Sequence, residues 1–123
     1  MEQEELTGQI LAAALQVHTT LGPGLLESVY ESCLAQELRK RGLKVERQKV
    51  VPVEYDGLTF DEGFRLDLFV EETIIVELKA VEALLPIHEA QVLTYLRLSN
   101  NRVALLSNFK VRLLKQGIKR LII

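Results

Sequence analysis

The chain has 123 residues and a formal net charge of −2, with 48% apolar and 26% charged residues. That composition fits one globular domain with a sizeable core and excludes a disordered chain. It offers no global positive charge to attract nucleic acid, and no apolar run approaches the roughly 18 residues needed to span a membrane.

The first five residues, Met1-Glu2-Gln3-Glu4-Glu5, are acidic where a secretory leader would be basic, and the lone Cys33 cannot form an internal disulfide. Both features point to the cytoplasm. The charge is unevenly spread. Arg97, Arg102, Lys110, Arg112, Lys115, Lys119 and Arg120 follow one another with no acid among them, and Arg39-Lys40-Arg41, Lys44, Arg47 and Lys49 are interrupted only by Glu46. Such patches suit phosphate contacts, and equally suit plain solvated faces.

In chain order, Leu6, Ile10, Ala14, Val17 and Leu21 recur at helical spacing. Gly22-Pro23-Gly24 stops that helix. A second helix follows, with Leu26, Val29, Tyr30, Cys33, Leu34 and Leu38 on one side, and Gly42 ends it. Residues 44–55 read as a strand in which Pro52 marks an edge or a bulge. Asp56-Gly57 is a strong hairpin turn signal. From Phe64 to Val70 the pattern alternates, predicting Phe64, Leu66, Leu68 and Val70 on one face and Arg65, Asp67 and Phe69 on the other. Glu71-Glu72 makes the next turn, and Thr73 to Ala80 is a third strand, giving an antiparallel meander. Pro86 opens a third helix running to about Leu98, Asn100-Asn101 turns the chain, and Val103 to Ser107 is again a strand. The last segment, from Lys110, predicts one or two short strands around Gly117. The order ααβββαβ(β) describes a single α/β or α+β domain over residues 1–123.

Chemistry concentrates in DLFVEETIIVELKA, residues 67–80. Period two puts Glu77 and Lys79 on the same face of their strand, and a suitable hairpin register would set Asp67 beside Glu77. Two converging carboxylates suit a hard divalent cation such as Mg²⁺. On spacing alone the simpler reading is structural: cross-strand ion pairs of Glu77 with Lys79, or Asp67 with Arg65. Glu27 lies at the margin of the second helix's apolar face, where a carboxylate needs a partner or serves as a favourable first-turn charge. His88, Gln91 and Tyr95 share one stripe of the third helix, either a hydrogen-bonding face or an exposed flank. His18, at the edge of an apolar face, reads as structural.

HTTLGPGLLESVYESCL carries Gly24-x-x-Glu27-x-x-Tyr30, and with FRLDLFVEETIIVELKAVEAL, LPIHEAQVLTYLRL and VALLSNF it resembles the GxxExxY family of the PD-(D/E)XK nuclease superfamily. The resemblance implies a restriction-endonuclease-like αβββαβ core: a mixed central sheet flanked by helices, here with one extra N-terminal helix. It implies Mg²⁺ or Mn²⁺ held by Asp67, Glu77 and the backbone of Leu78, with Lys79 as the lysine of the ExK motif. Glu27 matches the acid contributed by the first core helix. Gln91 and Tyr95 resemble a QxxxY motif that helps arrange the active site. The leading proline of a PD motif is absent, Leu66 standing before Asp67.

The function implied is metal-dependent phosphodiester hydrolysis in nucleic acid, DNA ahead of RNA, with no membrane partner. The alternative is a catalytically silent module of the same fold that binds nucleic acid or a protein. A homodimer joined through the apolar Leu121-Ile122-Ile123 is compatible with the small size, although those residues read equally as a final core strand.

Overall fold

The computed structural model describes residues 1–123. Helices α1 (Gln3–Leu21) and α2 (Glu27–Lys40) come first, followed by strands β1 (Val45–Tyr55), β2 (Leu58–Val70) and β3 (Ile74–Lys79). Helix α3 (Pro86–Ser99), β4 (Val103–Asn108), a 3₁₀ turn at Leu114–Gln116 and β5 (Ile118–Ile122) complete the chain. The sheet runs β1-β2-β3-β4-β5, with β3 and β4 parallel and every other neighbouring pair antiparallel. A parallel pair needs a crossover, and α3 supplies it. This is a mixed five-stranded sheet flanked by helices, the restriction-endonuclease-like architecture.

The two faces of the sheet bury separate cores. Leu6, Ile10 and Val17 of α1 and Tyr30, Leu34 and Leu38 of α2 pack on Leu68, Val70, Ile74, Val76 and Leu78. On the opposite face Val92 and Leu96 of α3 cover Leu66, Ile75, Ala104 and Leu106. β3 and β4 are buried along both faces, as expected of the centre of such a sheet. Of the expected apolar side of α2, Leu26 and Val29 are exposed instead, because Leu26 is the N-cap residue and lies outside the helix–sheet contact. Cys33 is half-buried against α1 and α2 core residues. At the C-terminus only Leu121 is buried, so β5 is an edge strand with Ile122 and Ile123 outward.

The turns follow their residues. Asp56 (φ 47) and Gly57 (φ 80) are both left-handed, matching the right-handed twist of the β1–β2 hairpin. Glu71 and Glu72 adopt the same region between β2 and β3, where the Lys44 backbone N–H donates to the Glu71 carboxylate at 2.6 Å. Asn100 (φ 60) closes α3.

β2 departs from the expected alternation in a way that matters. Leu66 packs with the α3-side core and Leu68 with the α1/α2-side core, so the strand changes face at Asp67. Opposite this step, Gln48 of β1 takes a left-handed φ of 50, and the pairing runs Arg47 with Leu68 and then Lys49 with Leu66. The change of face belongs to a kink shared by both strands. A second irregularity lies at Pro52, where the register shifts between Val51 and Val53 opposite Gly63. Any Cβ on Gly63 would run into the Val53 side chain and approach the Val51 carbonyl.

Gly63→Ala is therefore expected to destabilise the fold by roughly 1–3 kcal/mol in urea titration. Adding Val53→Gly, which removes both of the contacting side-chain carbons, should recover part of that loss. Equal stability of Gly63→Ala and the parent would show that the bulge relaxes freely.

Candidate metal centre

The centre lies where β2 and β3 part. Their ladder pairs Val70 with Ile74, Phe69 with Ile75 and Leu68 with Val76. One further step in this register sets Asp67 opposite Glu77, and there side chains replace backbone partners. The Asp67 N–H donates to Glu77 Oε1 at 3.0 Å, and the Leu78 N–H donates to Asp67 Oδ2 at 2.8 Å. N–H and C=O of one residue leave a strand on the same side, so the Leu78 carbonyl also opens toward Asp67.

Neither carboxylate has a cationic partner. Arg65 pairs with Glu62, and the Lys79 ammonium donates to Gln91 Oε1 at 3.4 Å. The cross-strand ion pairs that spacing alone favours are not formed, because the kink directs Asp67 away from Arg65 and α3 draws Lys79 aside. Glu77 is only 4% exposed, and its pKa rises to about 8. Desolvation by burial is the main cause and the Asp67 charge the next, while Lys79 offsets little of either.

The other expected residues occupy the rim. Glu27, in the first turn of α2, accepts a 3.2 Å hydrogen bond from the Ala80 N–H, just past Lys79. Tyr95 stacks on Phe64 with ring centroids 4.4 Å apart. Its phenol pKa is raised, first by burial and then by the charges of Glu77 and Asp67, which places it in their field. His88 turns to the backbone instead, its Nδ1 accepting from the Leu85 N–H at 2.9 Å to close the first turn of α3. His18 is buried, with Nε2 2.8 Å from the Val111 carbonyl.

Several positioning groups lie outside the expected set. Glu31 is buried one turn beyond Glu27, bonded by Arg47 through Nε and a terminal nitrogen at 3.2 and 3.1 Å. The Gln48 amide donates to Glu31 at 2.6 Å and to Asp67 Oδ1 at 3.3 Å, tying α2 to β2. Asn108, 1% exposed, brackets Val81, accepting from its N–H at 3.1 Å and donating to its carbonyl at 2.8 Å. The Phe109 N–H donates to the Lys79 carbonyl at 2.9 Å, so the end of β3 is held from β4. The spacing of Glu27 and Glu31 (i, i+4) is a signal for the former; the role of Asn108 has no local signal.

Tyr30 holds the approach to α2. Its hydroxyl donates to the Gly22 carbonyl at 2.7 Å and accepts from the Leu25 N–H at 3.0 Å, while its ring stacks on Phe109. Gly24, at φ 98, takes a conformation that side chains disfavour. The three spaced residues of Gly24-x-x-Glu27-x-x-Tyr30 thus shape the loop, supply the acid and fix the loop to the helix.

The donor set fits a hard cation with few protein ligands. It comprises two carboxylates and a carbonyl, all oxygen, around a buried acid lacking a countercharge. No group of three or more His, Cys, Asp or Glu residues is assembled, so a soft or tetrahedral metal has no cage here. A family model described as the PD-(D/E)XK nuclease superfamily matches residues 4–121. No curated protein and no solved structure gives a significant match.

The buried acid sets a pH signature. In the unfolded chain Glu77 ionises near 4.5, whereas in the metal-free fold it keeps its proton to about 8. Between these values the folded state binds the extra proton, so stability falls as pH rises, by at most about 1.4 kcal/mol per unit, and levels off above 8. Melting curves in chelator from pH 5 to 9 should show this decline, and Glu77→Gln should flatten it. An unchanged slope in the variant would place the dependence elsewhere.

Proposed function

The chain belongs to the PD-(D/E)XK nuclease superfamily, and from that premise we propose that it is a divalent-metal-dependent phosphodiester hydrolase acting on nucleic acid. We assign it to the GxxExxY branch. The supporting features are Tyr30 and Gly24 in the loop before α2 and Glu27 directed at the end of β3.

One observation carries the reading. Two facing carboxylates, one of them buried, form no ion pair with a lysine or arginine, while the Lys79 ammonium donates to Gln91. Burial beside Asp67 keeps Glu77 protonated to about pH 8, and its ionised form is costly there unless a cation takes the place of the proton. In this proposal Asp67, Glu77 and the Leu78 carbonyl hold Mg²⁺ or Mn²⁺. The bound ion would supply Lewis acidity for water activation and neutralise charge gathering on the scissile phosphate.

The protein's own groups do the rest. Lys79, steadied by Gln91, directs its ammonium at the phosphate oxygens or orients the attacking water. Glu27 orients solvent on the α2 side. The Tyr95 phenol, kept protonated by its raised pKa, lies in the field of both carboxylates and offers a hydrogen-bond donor at the rim of the site. Asn108 keeps the end of β3 from fraying, so that the acid and the lysine stay in register.

Cleavage assays on single- and double-stranded DNA and RNA with Mg²⁺ or Mn²⁺ test this. Glu77→Gln and Lys79→Ala are each expected to lower the rate about a hundredfold or more. Activity unchanged in both variants would sink the proposal. Mn²⁺ affinity by calorimetry should also rise between pH 6 and 8, because binding must displace the Glu77 proton. The gain approaches tenfold per unit, and a pH-independent affinity would remove Glu77 from the ligand set.

A further inference from the structure

The surface on the far side of Glu27 is shaped as well. The cleft at the carboxylates, about 330 Å³, is bounded by Glu27, Glu31, Gln48 and Asp67. Across Glu27 lies a second hollow of about 280 Å³, walled by Leu25, Leu26, Ala80 and Lys110. A third, of about 390 Å³, shares Gly24 and Lys110 with it and reaches Val111 and Arg112. Consecutive hollows share lining residues, Glu27 between the first two and Gly24 and Lys110 between the last two, so they line up as a groove leading away from the candidate metal centre.

We propose that this groove carries a single unpaired nucleic-acid strand, its phosphates against Lys110 and Arg112 and its bases against Leu25 and Leu26. The inference rests on the hydrolase reading above and adds the form of the substrate and the path it takes.

The cations here are available. In the other basic stretch Lys40, Lys44, Arg47 and Lys49 are paired with Glu37, Glu72, Glu31 and Glu46, and Arg39 and Arg41 donate to the Val45 carbonyl and to Gln9. Arg112 is in no ion pair, and Lys110 has only Glu82, whose side chain is 87% exposed. An exposed pair of that kind is weak and readily exchanged for a phosphate.

The loop bearing them is firmly built. His18 meets the Val111 carbonyl at 2.8 Å, Phe109 stacks on Tyr30 at 4.6 Å, and the Asn108 side-chain oxygen accepts from the Lys110 N–H at 3.2 Å. A fixed loop presents its charges at constant spacing. The opposite wall is apolar, with Leu26 74% exposed beside Glu27. Only an unpaired strand can turn base faces to such a wall, since a duplex keeps them stacked inside.

The test is fluorescence anisotropy of labelled 12-nucleotide single strands and blunt duplexes, with Ca²⁺ replacing Mg²⁺. The parent is expected to prefer the single strand. Lys110→Ala with Arg112→Ala should weaken binding at least tenfold. It should also reduce the slope of log affinity against log salt by about 0.7 for each phosphate that the variant leaves unneutralised. Leu26→Ser should erase the preference over duplex, while Lys40→Ala, on the paired stretch, should change nothing. Mn²⁺ binding at the carboxylates is measured alongside. Single-strand binding undiminished in the double variant, or a parent that prefers duplex, overturns the inference and leaves the hydrolase reading standing. Binding of neither form by a parent that still takes up Mn²⁺ overturns both.

Discussion

Two carboxylates facing each other at the end of a hairpin are the constraint around which this fold is arranged. Asp67 and Glu77 occupy the step where a backbone ladder would continue, and each accepts a hydrogen bond from the opposing strand instead. The sheet therefore gives up regular pairing at that point and replaces it with side-chain acceptors. Burial and the Asp67 charge together resist ionisation of Glu77, which keeps its proton to about pH 8. An arrangement of this kind persists only if the surrounding structure holds it firmly.

That support comes from every side of the step. The kink at Gln48 is the first part: a left-handed backbone in a non-glycine residue costs on the order of 1 kcal/mol or more. Its amide bonds to Glu31 and Asp67 help to offset this. Arg47 neutralises Glu31, so the α2 end of the cleft carries no second unpaired buried acid. From the opposite direction β4 lends Asn108 and the Phe109 N–H to the end of β3. Tyr30 and Phe109 stack where the two supports meet.

The parts legible in the sequence share a physical reason: they depend on short spacings. Helical periodicity, Asp56-Gly57, Pro86 and the alternation in β3 each report on neighbours within a few residues. Asp67 can be set beside Glu77 because a hairpin register follows from its turn. The parts that are not legible involve partners distant in the chain, or a backbone state that its residue does not advertise. Gln48 is no turn former, so nothing local announces a left-handed residue there, and the switch of Leu66 to the α3 side is unreadable in consequence. Asn108 reaches Val81 across 27 positions, and His18 reaches Val111 across 93. The exposure of Leu26 and Val29 escapes periodicity, which finds an apolar stripe without showing where the sheet beneath it ends.

Net charge proves a poor guide to this surface, and the reason is where the acids sit. The basic stretch around α2 and β1 is matched almost residue for residue by Glu37, Glu46, Glu72 and Glu31. Of these pairs Arg47–Glu31 joins helix to strand, whereas Lys40–Glu37 and Lys49–Glu46 each lie within one element. The acids of the hairpin, Glu54, Asp56, Asp61 and Glu62, lie on the other arm of the molecule. In the run after β4, Lys110 and Lys119 pair with Glu82 and Glu89 while Arg112 and Lys115 are in no ion pair. The β4–Gly117 contact folds this run back against the end of the sheet that carries Lys79. A chain with a formal charge of −2 thus still carries cations near the carboxylates of β2 and β3. On the proposed function, these cations would favour an approaching phosphate, while the Asp67 charge would oppose it until a metal ion is bound. On that same proposal, metal occupancy and phosphate approach would be coupled by that opposition, through charges that the fold holds in place and without any moving part.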